Sequence, residues 1–208
     1  MGILGRIAAG LAAAALCFTF AACGNTDDSS KSEDKTKSAA EISSAEDSKT
    51  QLGTFTITLY PEYAPITCEN FEKLVNDGFY NGLTFHRVVE DFMAQGGDPN
   101  GNGTGGSSQR IKGEFSANGV QNDLKHTRGV LSMARSSAMD STSSQFFIMH
   151  ADAPHLDGQY AAFGKVISGM EVVDAICEHT PVTDRNGTVA KANQPVIERI
   201  IRVEKPEE

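Results

Sequence analysis

From Gly53 to Val203 the apolar residues come in short runs broken by Gly, Ser, Asp or Pro, and this punctuation limits the fold more than any other feature of the chain. The stretch "GTFTITLY" (53–60) alternates Phe55, Ile57 and Leu59 with threonines, the period of a half-buried strand. Further runs at 83–89, 129–134, 145–149, 160–167 and 196–203 are also of strand length. Two segments carry a helical period instead. Pro65 opens the first, with Phe71, Leu74 and Val75 at i, i+3 and i+4 and Glu69 expected in its first turn. The second starts near Met170 and aligns Met170, Val173, Ile176 and Cys177. Many short strands and two helices, without repeats, predict a mainly β fold: a closed antiparallel barrel with helical plugs.

The residues before Gly53 are of another kind. Arg6 precedes an apolar run from Ile7 to Ala22, shorter than the roughly 20 residues of a membrane span and suited to the core of an export signal. "TFAAC" resembles a bacterial lipobox, with Phe20 in place of the usual leucine and Cys23 as the lipidated residue. Residues 24–51 are Ser, Thr, Ala, Lys and acids with almost nothing to bury, so they predict a disordered tether spanning roughly 30 Å on average. The expected organisation is a signal over 1–22, a lipidated Cys23 with its tether through 51, and one folded domain over 52–205. Such a chain would be a monomer, held on the extracytoplasmic face of the cell membrane by its diacylglyceryl and further acyl (palmitate-like) chains alone. The net charge of −9 speaks against nucleic acid. Cys68 and Cys177 each suit the apolar face of a helix and read as buried thiols.

Several motifs fail on inspection. "DPNGNG" (98–103) starts like a calcium loop, but its twelfth position is Gln109 rather than a bidentate glutamate. His126, His150, His155 and His179 show no metal-ligand spacing and read as surface or hydrogen-bonded histidines, so neither metal nor cofactor is expected. No Gly-x-Ser-x-Gly elbow supports a serine hydrolase.

One stretch resists a purely structural reading. "LTFHRVVEDFMAQGGD" (83–98) sets Arg87 in an apolar run, and burying a guanidinium without a partner is costly. Taken in order with "GTGG", "GVLSMAR", "SSQFFIMHADAPHLDGQY" and "AFGKVISGMEVVDAI", it resembles the cyclophilin family of peptidyl-prolyl isomerases. The resemblance runs from Gly53 to about residue 203. It implies an eight-stranded antiparallel barrel closed by two helices, with the active groove on the outer face. It also implies roles: Arg87 is the catalytic arginine, and Gln95 orients it and holds the substrate carbonyl. Phe92, Met93, Phe147 and Leu156 form the proline pocket. Ala134 and Arg135 pair their backbone with the peptide, and Gly103 and Gln145 add groove contacts. His86 is expected on the opposite face by strand alternation, hydrogen-bonded to backbone.

The chemistry requires these residue types. Rotation about an Xaa-Pro bond breaks amide resonance, a barrier of roughly 18–20 kcal/mol. No covalent bond changes, so neither nucleophile nor metal is needed. In the twisted transition state the prolyl nitrogen regains its lone pair, and a guanidinium N–H aimed there binds the transition state better than the ground state. The resemblance also marks departures. His155 stands where many members carry tryptophan, Tyr160 where many carry histidine, and Arg135 where asparagine is common. The segment 137–142 is one residue longer than usual. Without the tryptophan indole, cyclosporin should bind only weakly. The expected partners are proline-containing peptides and unfolded exported proteins. The rival readings are a module that holds proline segments without turnover, and a metal-dependent hydrolase.

Overall fold

The computed structural model describes residues 15–20, by their backbone, and residues 52–202. Cys23, the tether to residue 51 and the residues after 202 lie outside the described residues. The strands are β1 Ala15–Phe20, β2 Gly53–Leu59, β3 Phe85–Val89, β4 Met93–Gly96, β5 Val130–Met133, β6 Phe146–Met149, β7 Ala162–Ser168 and β8 Arg199–Arg202. The helices are α1 Pro65–Asn76 and α2 Met170–His179. The sheet runs β3-β4-β6-β5-β7-β2-β1-β8, antiparallel throughout.

The fold is mainly β with two helices, as expected, but the closed ring of eight ladders is not what the pairing draws. Six strands, β3 to β2, form an unbroken ladder, and β8 joins it only through β1. Between β3 and β8 there is an isolated bridge, Thr84↔Val196, with the Phe85 N–H donating to the Pro195 carbonyl. The Gly82 N–H to the Ile197 carbonyl and the Ile197 N–H to the Leu83 carbonyl, at 2.7 Å each, extend this seam, where Pro195 accepts but cannot donate. β1 lies inside the segment expected as an export signal. Its backbone pairs from Ala15↔Thr58 to Phe20↔Gly53, a place for which the polar residues just before Gly53 offer no apolar strand.

Helix α1 begins at Pro65 with no acid in its first turn, so Glu69 does not play the expected part. A carboxylate from far along the chain does. Glu114, 2 % exposed, accepts the Ile66 and Thr67 N–H groups at 3.1 and 2.7 Å and the Thr67 hydroxyl at 2.7 Å. These N–H groups have no partner within the helix, and the helix dipole favours a negative charge there. Helix α2 buries Val172, Val173, Ile176 and Cys177, with Met170 partly buried. Phe71 packs against the rings of Tyr80, Phe146 and Phe163 at 5.0, 5.6 and 5.2 Å, so phenyl rings fill the core of a chain without tryptophan. Cys68 and Cys177 are free and buried, and burial pushes both thiols up to about 12. They are inert at neutral pH.

The central strands are buried on both sides. Ala94, Leu131, Met133, Phe146 and Ile148 face the main core. Met93, Val130, Phe147 and Met149 belong to a second cluster with Ala153, Leu156 and Ala162. Two buried faces explain why these strands read as continuous apolar runs. In β3 the register passes from Phe85↔Gly96 to Arg87↔Gln95, leaving His86 as an extra residue. This bulge shifts the phase. Phe85 and Val88 enter the main core, while Val89 packs on the second cluster. Simple alternation therefore misplaces His86. Its ring lies under the 98–105 loop, where a Cβ on Gly103 would stand 3.8 Å from Nε2. Neither ring nitrogen has a hydrogen-bond partner among the described residues, contrary to the expected bond to backbone. Burial lowers its pKa, against the nearby Asp98.

Candidate active site

Pairing sets Arg87, Gln95, Phe147 and Ser132 in one row across β3, β4, β6 and β5. Residues paired across antiparallel strands share a face. The ladder thus brings the two polar residues beside Phe147 without help from a loop.

Hydrogen bonds run along this face in one direction. Gln145 Nε2 donates to the carbonyls of Gly103 and Gly105 at 3.1 and 2.7 Å. Carbonyls only accept, so the Gln145 Oε1 must point the other way, where it accepts from Gln95 Nε2 at 2.9 Å. Gln95 Oε1 is then left facing Arg87 Nη1 at 3.2 Å. The Arg87 Nε donates to the Asn186 carbonyl at 2.8 Å. Both amides are oriented by groups that can play only one part. The guanidinium, half-buried, is held at two points and keeps N–H groups without an acceptor among the described residues.

The apolar side of the site is the second cluster. Met93, Phe147 and Leu156 are buried in it, with Phe92, Ala134 and Tyr160 packed against it. Phe92 stacks on the exposed His155 at 5.7 Å, and Phe147 meets the edge of Tyr160 at 5.9 Å. The Ala134 N–H donates to the Gln145 carbonyl at 2.9 Å. Gly103 is exposed in the loop 98–105, which the Asp98 carboxylate braces by accepting the N–H groups of Asn100, Asn102 and Gly103. The Asp98 oxygens that suggested a calcium loop are spent on backbone N–H groups. Burial pushes Asp98 up, but those N–H bonds outweigh it and its pKa is lowered.

Sequence reasoning reads His126 as a surface or hydrogen-bonded histidine and does not single out Ser132 or Asp157, yet the three meet beside Phe147. The His126 ring stacks on Phe147 at 6.1 Å. Its Nδ1 lies 3.1 Å from Asp157 Oδ1 and its Nε2 3.0 Å from Ser132 Oγ. A carboxylate only accepts, so Nδ1 carries the proton and the neutral ring takes the Ser132 hydroxyl hydrogen on Nε2. Burial lowers the His126 pKa, outweighing Asp157. The connectivity is that of a hydrolytic triad, but Ser132 is 0 % exposed, so no substrate reaches its hydroxyl. The trio supports the floor of the pocket instead. Asn186 was missed too. It is presented by a turn in which Gly187, at φ +82°, packs so closely on the Val88 carbonyl that any Cβ would collide.

Comparison with known proteins identifies the family. The sequence profile of the family described as "Cyclophilin type peptidyl-prolyl cis-trans isomerase/CLD" matches residues 46–204. The chain is 54% identical over 113 residues to peptidyl-prolyl cis-trans isomerase B of Bacillus subtilis, covering 54% of this chain and 76% of that protein. It is 45% identical over 158 residues to peptidyl-prolyl cis-trans isomerase-like 1 of Neurospora crassa, covering 75% and 93%. Among solved structures, a cyclophilin type peptidyl-prolyl cis-trans isomerase of Cryptosporidium parvum, determined in the presence of the dipeptide Ala-Pro, superposes with a TM-score of 0.65 at 33% identity. That match covers 74% of this chain and 95% of the other. With its arginine, glutamine and phenylalanine aligned in one row over a second apolar cluster, the chain belongs to the cyclophilin-type peptidyl-prolyl cis-trans isomerases.

Proposed function

We propose that the groove over Phe147 turns over Xaa-Pro bonds in exported proteins and so assists their folding. The single observation that carries this reading is the directed chain from Gly103 and Gly105 through Gln145 and Gln95 to Arg87. It holds a half-buried guanidinium beside an aromatic floor with N–H groups to spare. In the proposed mechanism the proline ring sits on Phe147, Met93 and Leu156, walled by Phe92. Arg87 donates to the prolyl nitrogen as it becomes pyramidal, and the remaining Gln95 N–H holds the preceding carbonyl. Water excluded by the apolar wall strengthens both bonds. Nothing is transferred, so no base or nucleophile takes part. The Ala-Pro dipeptide of the Cryptosporidium parvum relative supports proline-containing peptides as the substrate class. A chymotrypsin-coupled assay on a Xaa-Pro peptide tests the reading, and binding without turnover would reduce the protein to a holder of proline segments.

The cellular setting is part of the same proposal. An export signal through residue 22 and a lipid on Cys23 would tether the domain outside the membrane, and processing there would remove β1 from the mature protein. No described helix is long and apolar enough to cross a membrane. Mass spectrometry of the mature N-terminus should find a diacylated Cys23, and Cys23→Ser should abolish that processing. An unmodified terminus starting elsewhere would refute it. Cyclosporin should bind weakly, and His155→Trp should raise sensitivity, because the larger ring would lie on Phe92 and add an indole donor.

A further inference from the structure

Arg135 was expected to meet the peptide through its main chain, and its side chain turns out to be fixed as well. The guanidinium carbon lies 5.0 Å over the Phe115 ring and 4.7 Å over the Tyr160 ring. Nε donates to the Gln159 carbonyl and Nη1 to the Ser136 carbonyl, each at 3.0 Å. The Nη2 group has no acceptor among the described residues, and none of the ion pairs there includes Arg135. The acids nearby in sequence are engaged elsewhere. Asp140 accepts from the Gly113 N–H and from Asn118, and Asp157 serves His126 and Lys125. A chain of net charge −9 therefore keeps a cation without a carboxylate at the rim of its groove.

The position matters as much as the charge. Tyr160, which carries the guanidinium on its face, meets Phe147 with its edge. Two ring contacts amount to a distance on the order of 10 Å, about three residues of extended peptide. The neighbouring Ala134 lies on the second cluster that forms the pocket. A guanidinium already stacked and bonded at two atoms loses little freedom on taking a further partner, and its planar fork suits a carboxylate better than any neutral group.

We propose that Arg135 is a specificity-determining residue that favours peptides carrying an acidic side chain within about three residues of the proline. The proposal rests on the groove being the Xaa-Pro site. A guanidinium that merely braced Tyr160 against Phe147 would change turnover of all peptides by the same factor, whatever their charge.

The test uses three peptides that differ only in Glu, Gln or Lys at the positions two before and two after the proline. They are assayed for kcat/KM with wild type, Arg135→Gln and Arg135→Lys. Wild type should prefer Glu over Gln by about 3- to 10-fold, the size of a part-exposed ion pair, and Lys should be the poorest. The preference should shrink in about 0.5 M salt. Arg135→Gln should abolish the Glu/Gln ratio, and Arg135→Lys should restore part of it. An unchanged ratio in Arg135→Gln, or an equal loss on all three peptides, would overturn the assignment. Failure of wild type to turn over even the Gln peptide would remove the groove reading itself, and the proposal with it.

Discussion

Arg87 shows how a costly residue becomes tolerable. The Asn186 carbonyl and Gln95 take two of its donors, and only the remainder stay open to the groove. Arg87→Ala is expected to leave the far-UV spectrum unchanged and to lower kcat/KM by about 30- to 1000-fold, or roughly 2–4 kcal/mol of transition-state stabilisation. Peptide affinity should fall much less. Near wild-type turnover would end the case for Arg87 as the catalytic cation. This residue, Gln95, Met93 and Phe147 were legible because each is announced by its type within a motif. Asn186 was not, since it serves through a carbonyl that every residue possesses. His126, Ser132 and Asp157 lie on three separate segments, and only the fold makes them neighbours.

At the scale of elements, strand positions were legible because two buried faces demand unbroken apolar runs, and helix α1 because Pro65 and its apolar period agree. Its cap was not legible. Local spacing pointed to Glu69, whereas tertiary structure supplies Glu114 from 48 residues away in the Ile66 contact. Glu114→Ala strands two N–H groups and a hydroxyl in a buried place, at a cost of about 2–3 kcal/mol. Urea unfolding should show a lower midpoint with little change in slope. A midpoint within error of wild type would mean that water replaces the carboxylate. Glu114→Gln should cost less, as it keeps one acceptor. The bulge in β3 also escaped the sequence, because an extra residue has no characteristic type.

The whole molecule should be sensitive to acid in two stages. His86 and His126 both have pKa values lowered from 6.5, chiefly by burial. Below about 6.5 the unfolded chain takes up protons that the native state refuses, so stability falls as pH falls, by at most about 1.4 kcal/mol per pH unit for each histidine. Asp98 and Asp157 follow. Burial raises both, but hydrogen bonds outweigh it and leave them lowered from 3.8. Their contribution is complete at neutral pH and is lost below about 4. Melting temperatures measured from about pH 7.5 down to 3 should therefore begin to drop well before the carboxylates titrate. A flat profile down to about pH 5 would show that both rings are charged or solvated in the native state.

The extra residue at His86 has a genetic corollary. Missense changes at that codon keep the extra residue, whereas loss of the codon leaves Phe85, Arg87 and Val88 in strict alternation, with Arg87 still opposite the side occupied by Phe85 and Val88. Every residue of the groove would still be encoded, in the original order. The in-frame deletion and His86→Gln should therefore both retain turnover, and loss of activity in the deletion alone would show that the bulge itself, rather than the side of the sheet, sets the place of Arg87.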